Sequence, residues 1–203
     1  MSIILVRHGE TPLNVTRMLQ PADTPLSANG LAQAQSVAKR LAGMQLAGIV
    51  SSDLPRALST AQAISAATGL PITTTALLHE RNFGDLRGQP YDTLGFNPLA
   101  MTEAPPGGES VAEFLARVAQ AFDHVVALRK QLGGHLAVVT HGLVIRALLA
   151  QHAQRADDGE LPRIGNTSIS VLGACAPYTV ELLDCTRHLD AATQHDARSL
   201  SGG

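Results

Sequence analysis

Two apolar runs in this sequence end in the same pair of residues. Ile3 to Val6 leads into Arg7-His8-Gly9, and "HLAVVT", residues 135–140, leads into His141-Gly142. A neutral imidazole aimed by a rigid strand can attack phosphorus and form a phosphohistidine. A phosphate dianion needs fixed positive charge, and Arg7 and Arg56 would supply planar, permanently charged, bidentate donors. Their like charge is expected to depress the His8 pKa and keep the ring unprotonated for attack. The departing alkoxide needs a proton. Glu80, in "LLHERNFG", is the nearest candidate acid, and Glu10 competes for that role on sequence alone. Gly9 is expected to let the backbone bend sharply after His8 and admit a close phosphate. Gly142 would open a helix whose first N–H groups form an anion site.

Other readings of the same residues make different demands. His8, His141 and Glu80 could be zinc ligands, but the adjacent arginines would repel the metal. Neither a His-x-Glu-x-x-His motif nor a cysteine pair with ligand spacing supports that reading. "HGETPLN" could be an exposed loop in which Asn14 caps the next turn. The remaining histidines, at 79, 124, 135, 152, 188 and 195, are expected to be surface or satisfied core residues.

The elements that must position these groups follow from periodicity. Strands are expected at Ile3–Val6, Gly48–Val50, Pro71–Thr75 and His135–Thr140, with a final pair in "SISVLG" and "YTVELLD" around Ala176-Pro177. A helix capped by Ser27 carries Leu31, Ala34, Val37, Ala38 and Leu41 at helical spacing. A second helix follows "SSDLP", with Pro55 in its first turn and Gly69 at its end. Ser110 and Glu113 have capping-box spacing and open a third helix that closes near Gly133; a fourth covers 142–153. Residues 84–109 are crowded with Gly and Pro. They read as an irregular substrate or lid loop with room for one short helix. Strands alternating with helices predict an α/β sandwich with a mainly parallel sheet, where ligands sit beyond the carboxyl ends of the strands.

Composition narrows the partners. The chain has 203 residues, 45% apolar and 16% charged, which suits one globular domain over 1–190 with a mobile tail over 191–203. A net charge of −2 offers no broad attraction to nucleic acid or anionic membranes, so any cationic site must be local. Aromatic content of 3%, with no tryptophan, argues against a stacking surface for bases. Cys175 and Cys185 are too few for a disulfide framework and read as thiols in a reducing compartment. Met1-Ser2 leads directly into the first strand without a basic leader or long apolar run, so a cytoplasmic location is expected. The sequence does not fix the oligomeric state, and a homodimer is left open.

At these residues the chain resembles the histidine phosphatase superfamily, in its phosphoglycerate mutase-like branch. "LVRHGETPLN" is similar to that family's signature, with Arg7, His8, Gly9, Glu10, Thr11 and Asn14 in matching places. "DTPLSANGLAQAQ", "SSDLPRALSTAQ", "LHERNFGDLRG", "PPGGES", "VVTHG" and "NTSIS" resemble later family segments in order, over roughly residues 3 to 184. The resemblance implies a three-layer α/β/α sandwich with a mixed, mostly parallel sheet whose edge strand runs antiparallel to the rest. It also implies that His8 is the phosphorylated nucleophile and Glu80 the proton donor. Arg7, Arg56 and His141 would bind the phosphoryl group and stabilise its transition state. Asn14 would assist, with Thr11, Gln20, Arg81 and Gly142 as further phosphate or substrate contacts. No metal and no cofactor would be needed.

Several positions depart from the common pattern: Leu13 and Leu86-Arg87 replace Trp and Trp-Glu, and Pro21 stands where Gly is usual. Each lies beside substrate-facing loops. The resemblance also implies that mutases carry an Arg-rich insertion, whereas here no Lys or Arg stands between Arg87 and Arg117. A phosphomonoesterase acting on a small phosphorylated metabolite is therefore expected ahead of a phosphoglycerate mutase. A non-catalytic phosphate-binding domain ranks last, because all five expected catalytic residues are present.

Overall fold

The first strand, β1 (Ser2–Arg7), is buried along its whole length, and its side chains divide between two cores. Ile3 and Leu5 pack on one face of the sheet, Ile4 and Val6 on the other, as the period of two requires. The computed structural model describes residues 1–156, 159–191 and 193. Its elements after β1 are α1 (Pro12–Val15), α2 (Ala28–Ala42), β2 (Leu46–Ser51), α3 (Pro55–Thr68), β3 (Ile72–Thr74), α4 (Val111–Lys130), β4 (His135–Thr140), α5 (Gly142–His152), β5 (Ile169–Gly173) and β6 (Val180–Cys185).

The six strands form one sheet in the order β3-β2-β4-β1-β5-β6. Residues of α4 and α5, including Phe114, Val118, Phe122, Ile145 and Leu148, fill one core with Ile3, Leu5 and Val138. Residues of α2 and α3, including Val37, Leu41, Ala57 and Ile64, fill the other with Ile4, Val6 and Val139. The result is the expected three-layer sandwich with a mixed, mostly parallel sheet. Among the described residues no helix is long and apolar enough to cross a membrane.

Two expectations and one alternative reading need correction. The antiparallel strand is β5, one in from the edge; the edge strand β6 is antiparallel to β5 and so runs with β1. The reason is the route of the chain. After α5 it crosses the C-terminal ends of the strands and enters the sheet from that side, beside Val6. A strand starting there needs no crossover helix and must run backwards. Second, residues 84–109 are irregular as expected but hold three 3₁₀ turns, at Gly84–Leu86, Tyr91–Thr93 and Pro98–Ala100, where one short helix was expected. Third, Asn14 does not cap the turn after the first strand. Thr11 does, through a capping box in which Asn14 is the reciprocal partner. The expected tail lies largely outside the described residues, as does His195; Thr193, which is described, accepts a hydrogen bond from Gln33 on its carbonyl.

Candidate active site

Three parallel strands reach the same edge of the sheet and are tied together there by backbone hydrogen bonds. His8 N–H donates to Thr140 O at 2.9 Å, and Ser52 N–H to Val139 O at 3.0 Å. Thr140 Oγ1 donates to Leu78 O at 2.8 Å, which fixes the segment carrying Glu80 beside the strand tips. This alignment brings Arg7, His8, Arg56, Glu80 and His141 into one buried cluster; His8 and His141 have no exposed surface. Their rings lie 5.1 Å apart between centroids, tilted by 59°.

The His8 ring is held in a defined state. Nδ1 lies 2.7 Å from Gly9 O, and a carbonyl can only accept, so Nδ1 carries the proton. Nε2 then bears the free lone pair, and it is buried with no hydrogen-bond partner among the described residues. Burial is the main force holding the His8 pKa well below the usual imidazole value, with Arg7 and Arg56 adding to it. Like-charge repulsion, the expected cause, is thus the second one. His141 is held low as well, first by burial and then by Arg56 and His8. Burial lowers Arg7 and Arg56 to about 10, which leaves both cationic at neutral pH.

Glu80 is the one carboxyl in the cluster. Its Oε1 accepts from Arg81 N at 3.0 Å and its Oε2 from Leu143 N, in the first turn of α5, at 3.2 Å. Burial raises its pKa against the opposing pull of these N–H groups, Arg56 and Arg7. Glu10 is committed elsewhere. Ser27 Oγ and Asn29 Nδ2 donate to its two oxygens at 2.8 and 3.2 Å, at the start of α2. The zinc alternative has no support in the geometry: among the described residues no three His, Cys, Asp or Glu side chains gather in a metal-binding group.

Gly9 is small for a reason beyond those expected. It does not adopt a left-handed backbone. A Cβ there would lie 2.5 Å from Gly30 O, and a Cβ on Gly30 would lie 2.0 Å from Glu10 O. The loop after His8 therefore presses directly on the first turn of α2, and neither residue can carry a side chain.

The other expected contacts divide into two groups. Thr11 Oγ1 donates to Gln20 Oε1 at 2.9 Å and accepts from Asn14 N, so Thr11, Asn14 and Gln20 form one buried network beside His8. Gly142 is the first residue of α5, buried next to His141. Arg81 turns away from the cluster: its Nη2 donates to Met101 O at 2.8 Å and its guanidinium lies over Phe83.

Four groups that the sequence reading did not single out complete the site. Asn166 Nδ2 donates to His8 O at 3.1 Å and reaches Asn14 Oδ1 at 3.3 Å. Ile164 O accepts from Arg7 Nη1 at 2.7 Å. Ser52 Oγ lies 2.9 Å from His141 Nε2, and Thr60 Oγ1 accepts from Gly9 N at 3.0 Å. The available signals were "NTSIS", "SSDLPR" and the Thr of "STAQ", segments noted for their resemblance without a role for these side chains. Tyr91 is a fifth such group. Its phenol, raised by burial and by Glu80, sits in the field of Glu80 and Arg7.

The model of the histidine phosphatase superfamily (branch 1) matches residues 3–178. Phosphoglycerate mutase-like protein 4 of Arabidopsis thaliana is 37% identical, over 93% of this chain and 86% of its own. Probable phosphoglycerate mutase GpmB of Yersinia enterocolitica is 32% identical, over 94% of this chain and 95% of its own. Among solved structures, the mycobacterial glucosyl-3-phosphoglycerate phosphatase is similar with a TM-score of 0.76 and 30% identity, covering 91% of this chain and 99% of that one. Its complex with inorganic phosphate is similar with a TM-score of 0.75.

Proposed function

The chain belongs to the histidine phosphatase superfamily, branch 1, and on that premise we propose that it hydrolyses a small phosphorylated metabolite through a phosphohistidine on His8. The observation that carries this reading is the His8 ring: a lone pair on a buried Nε2, proton-fixed at Nδ1, among two arginines and a carboxyl.

In the first step Nε2 forms a bond to phosphorus as the bond from phosphorus to the ester oxygen breaks. Glu80, whose hold on its proton is strengthened by burial, gives that proton to the departing oxygen. Arg7, Arg56 and His141 bind the phosphoryl oxygens, whose charge spreads in the transition state. Asn14, Thr11, Gln20 and the backbone of Gly142 line the same anion site, and Arg81 acts through the loop it anchors at Met101. In the second step the Glu80 carboxylate takes a proton from water, whose oxygen bonds to phosphorus as the N–P bond breaks. Inorganic phosphate leaves, and His8 and Glu80 return to their starting states. No step requires a metal. The absence of Lys and Arg between Arg87 and Arg117 favours hydrolysis over a mutase, which must grip a bisphosphorylated intermediate.

Release of phosphate from p-nitrophenyl phosphate in the presence of a chelator tests the proposal. The intact protein is expected to turn over, and His8→Ala to lose at least about 10³-fold, in line with removal of a nucleophile. An acid-labile phosphoryl adduct should map to His8. Silence of the intact protein across a panel of monoesters would end the hydrolase reading. Interconversion of 2- and 3-phosphoglycerate faster than hydrolysis would replace it with the mutase.

A further inference from the structure

A cleft of about 460 Å³ opens over Glu80, on the side of the cluster where the proposed leaving oxygen must depart. Its charged walls pair off one by one. Glu109 accepts from Asn82 N and binds Arg117 through both carboxylate oxygens. The same Arg117 donates from Nη1 to Leu77 O and His79 O, so its guanidinium is also committed. His79 is joined to Asp53. Arg87 is left over: its side chain makes no hydrogen bond or ion pair with any described residue.

The backbone around Arg87 is nevertheless fixed. Arg87 N donates to Gly84 O, Gly88 N to Leu19 O at 2.7 Å, and Leu19 N to Gln89 O at 3.0 Å. Gly88 has φ +82°, a conformation that favours glycine, so the chain turns where Arg87 is presented. A guanidinium presented at a cleft with no such partner among the described residues is available to pair with an anionic group of a ligand.

Resting on the phosphatase reading above, we propose that Arg87 is a specificity-determining residue that binds a carboxylate on the alcohol portion of the substrate. Arg87 has no direct partner among the described residues, and Glu109, whose charge reaches it, is already bound to Arg117. One negative charge matches this cation, and a guanidinium pairs with a carboxylate through two parallel hydrogen bonds. A second phosphate, with nearly twice the charge, would call for a second cation that the cleft does not offer. Arg87 and Glu80 line the same cleft, so a carboxylate at Arg87 and a leaving oxygen at Glu80 belong to one small molecule.

The test is a matched pair, phosphoglycolate against ethyl phosphate, which differ only in a carboxylate. The intact protein is expected to favour phosphoglycolate at least tenfold in kcat/KM. Arg87→Gln should collapse that ratio at least tenfold, mainly through KM, and Arg87→Lys should recover part of it. An unchanged ratio in Arg87→Gln, or no preference in the intact protein, overturns the proposal. So does a preference for fructose 1,6-bisphosphate over fructose 6-phosphate that vanishes in Arg87→Gln while the carboxylate ratio does not. If the intact protein releases no phosphate from any monoester of the panel, phosphoglycolate included, the phosphatase reading fails instead. Calorimetric binding of phosphoglycolate and ethyl phosphate to both proteins then decides the role of Arg87.

Discussion

The strand tips and the 84–109 loop face the same cleft but are built on opposite terms. At the tips every proposed reacting group is buried and held by a different element: Arg7 by Ile164 O, His8 by Gly9 and Asn166, Glu80 by the start of α5. The loop is three short 3₁₀ turns that leave Phe96 and Leu99 exposed. Chemistry needs groups fixed to fractions of an ångström, which a sheet edge supplies. Selection among substrates needs a surface that can vary without disturbing the core. If that division is real, substitutions at the tips must act on the chemical step and those in the loop on substrate choice.

The largest effect in that series is expected at Glu80. The first step needs Glu80 protonated and His8 neutral. Burial raises the carboxyl and lowers the imidazole, so both shifts favour the form that the first step needs. As pH rises through the raised Glu80 value, kcat/KM for an alkyl phosphate should fall. As pH drops, loss should begin only well below the ordinary histidine value of about 6.5. Glu80→Gln should lower kcat on ethyl phosphate by about 10²–10⁴ and abolish the alkaline limb, with a smaller loss on p-nitrophenyl phosphate, whose leaving group needs no proton. Equal losses on the two esters, measured across pH, would remove Glu80 from the acid's role.

Next in size is Asn166, which joins the β5 approach to the tip of β1. Asn166→Ala strips a hydrogen bond from His8 O and another from Asn14 Oδ1. The expected cost is about 1–3 kcal/mol in urea-unfolding stability, from the two hydrogen bonds lost, while Thr167 N still donates to His8 O. A fall of about 10–100-fold in kcat should accompany it, with KM nearly unmoved, because His8 would be aimed less well. A stability loss without a change in kcat would make Asn166 a structural residue only.

The contrast also explains what could be read without coordinates. β1, β4, α2 and α4 are legible because burial on both sheet faces and capping boxes leave periodic marks in sequence, as at Ile3–Val6 and Ser110–Glu113. The five clustered side chains were legible because each follows an apolar run, and a sheet aligns such tips. Asn166, Ser52 and Ile164 O were not, because each acts through hydrogen bonds to groups more than 80 residues away. No local pattern encodes such a contact. The cause of the low His8 pKa was misread for a similar reason, since burial is a property of the assembled layers. The small size of Gly9 had the same origin: a local bend was expected, but the constraint comes from Gly30 across the chain.

The smallest effect, and the sharpest on the loop's side of the comparison, is expected at Phe96. It is 46% exposed and lines a second cleft, of about 370 Å³, with Arg17, Tyr91 and Leu99. An exposed side chain outside both cores contributes little to folding, so Phe96→Ser should alter stability by less than about 0.5 kcal/mol. That corresponds to a thermal midpoint shift of about 1–2 °C at this chain length. Its contribution to a bound organic body is a few apolar contacts, so KM for a bulky ester should rise by about 2–5-fold relative to KM for ethyl phosphate. The reading is a ratio, and a general loss of activity cannot mimic it. Should Phe96→Ser instead reduce kcat on both esters alike, the loop would be coupled to the reacting groups. Tyr91, which sits in the field of Glu80 and Arg7, would be the link through which that coupling runs.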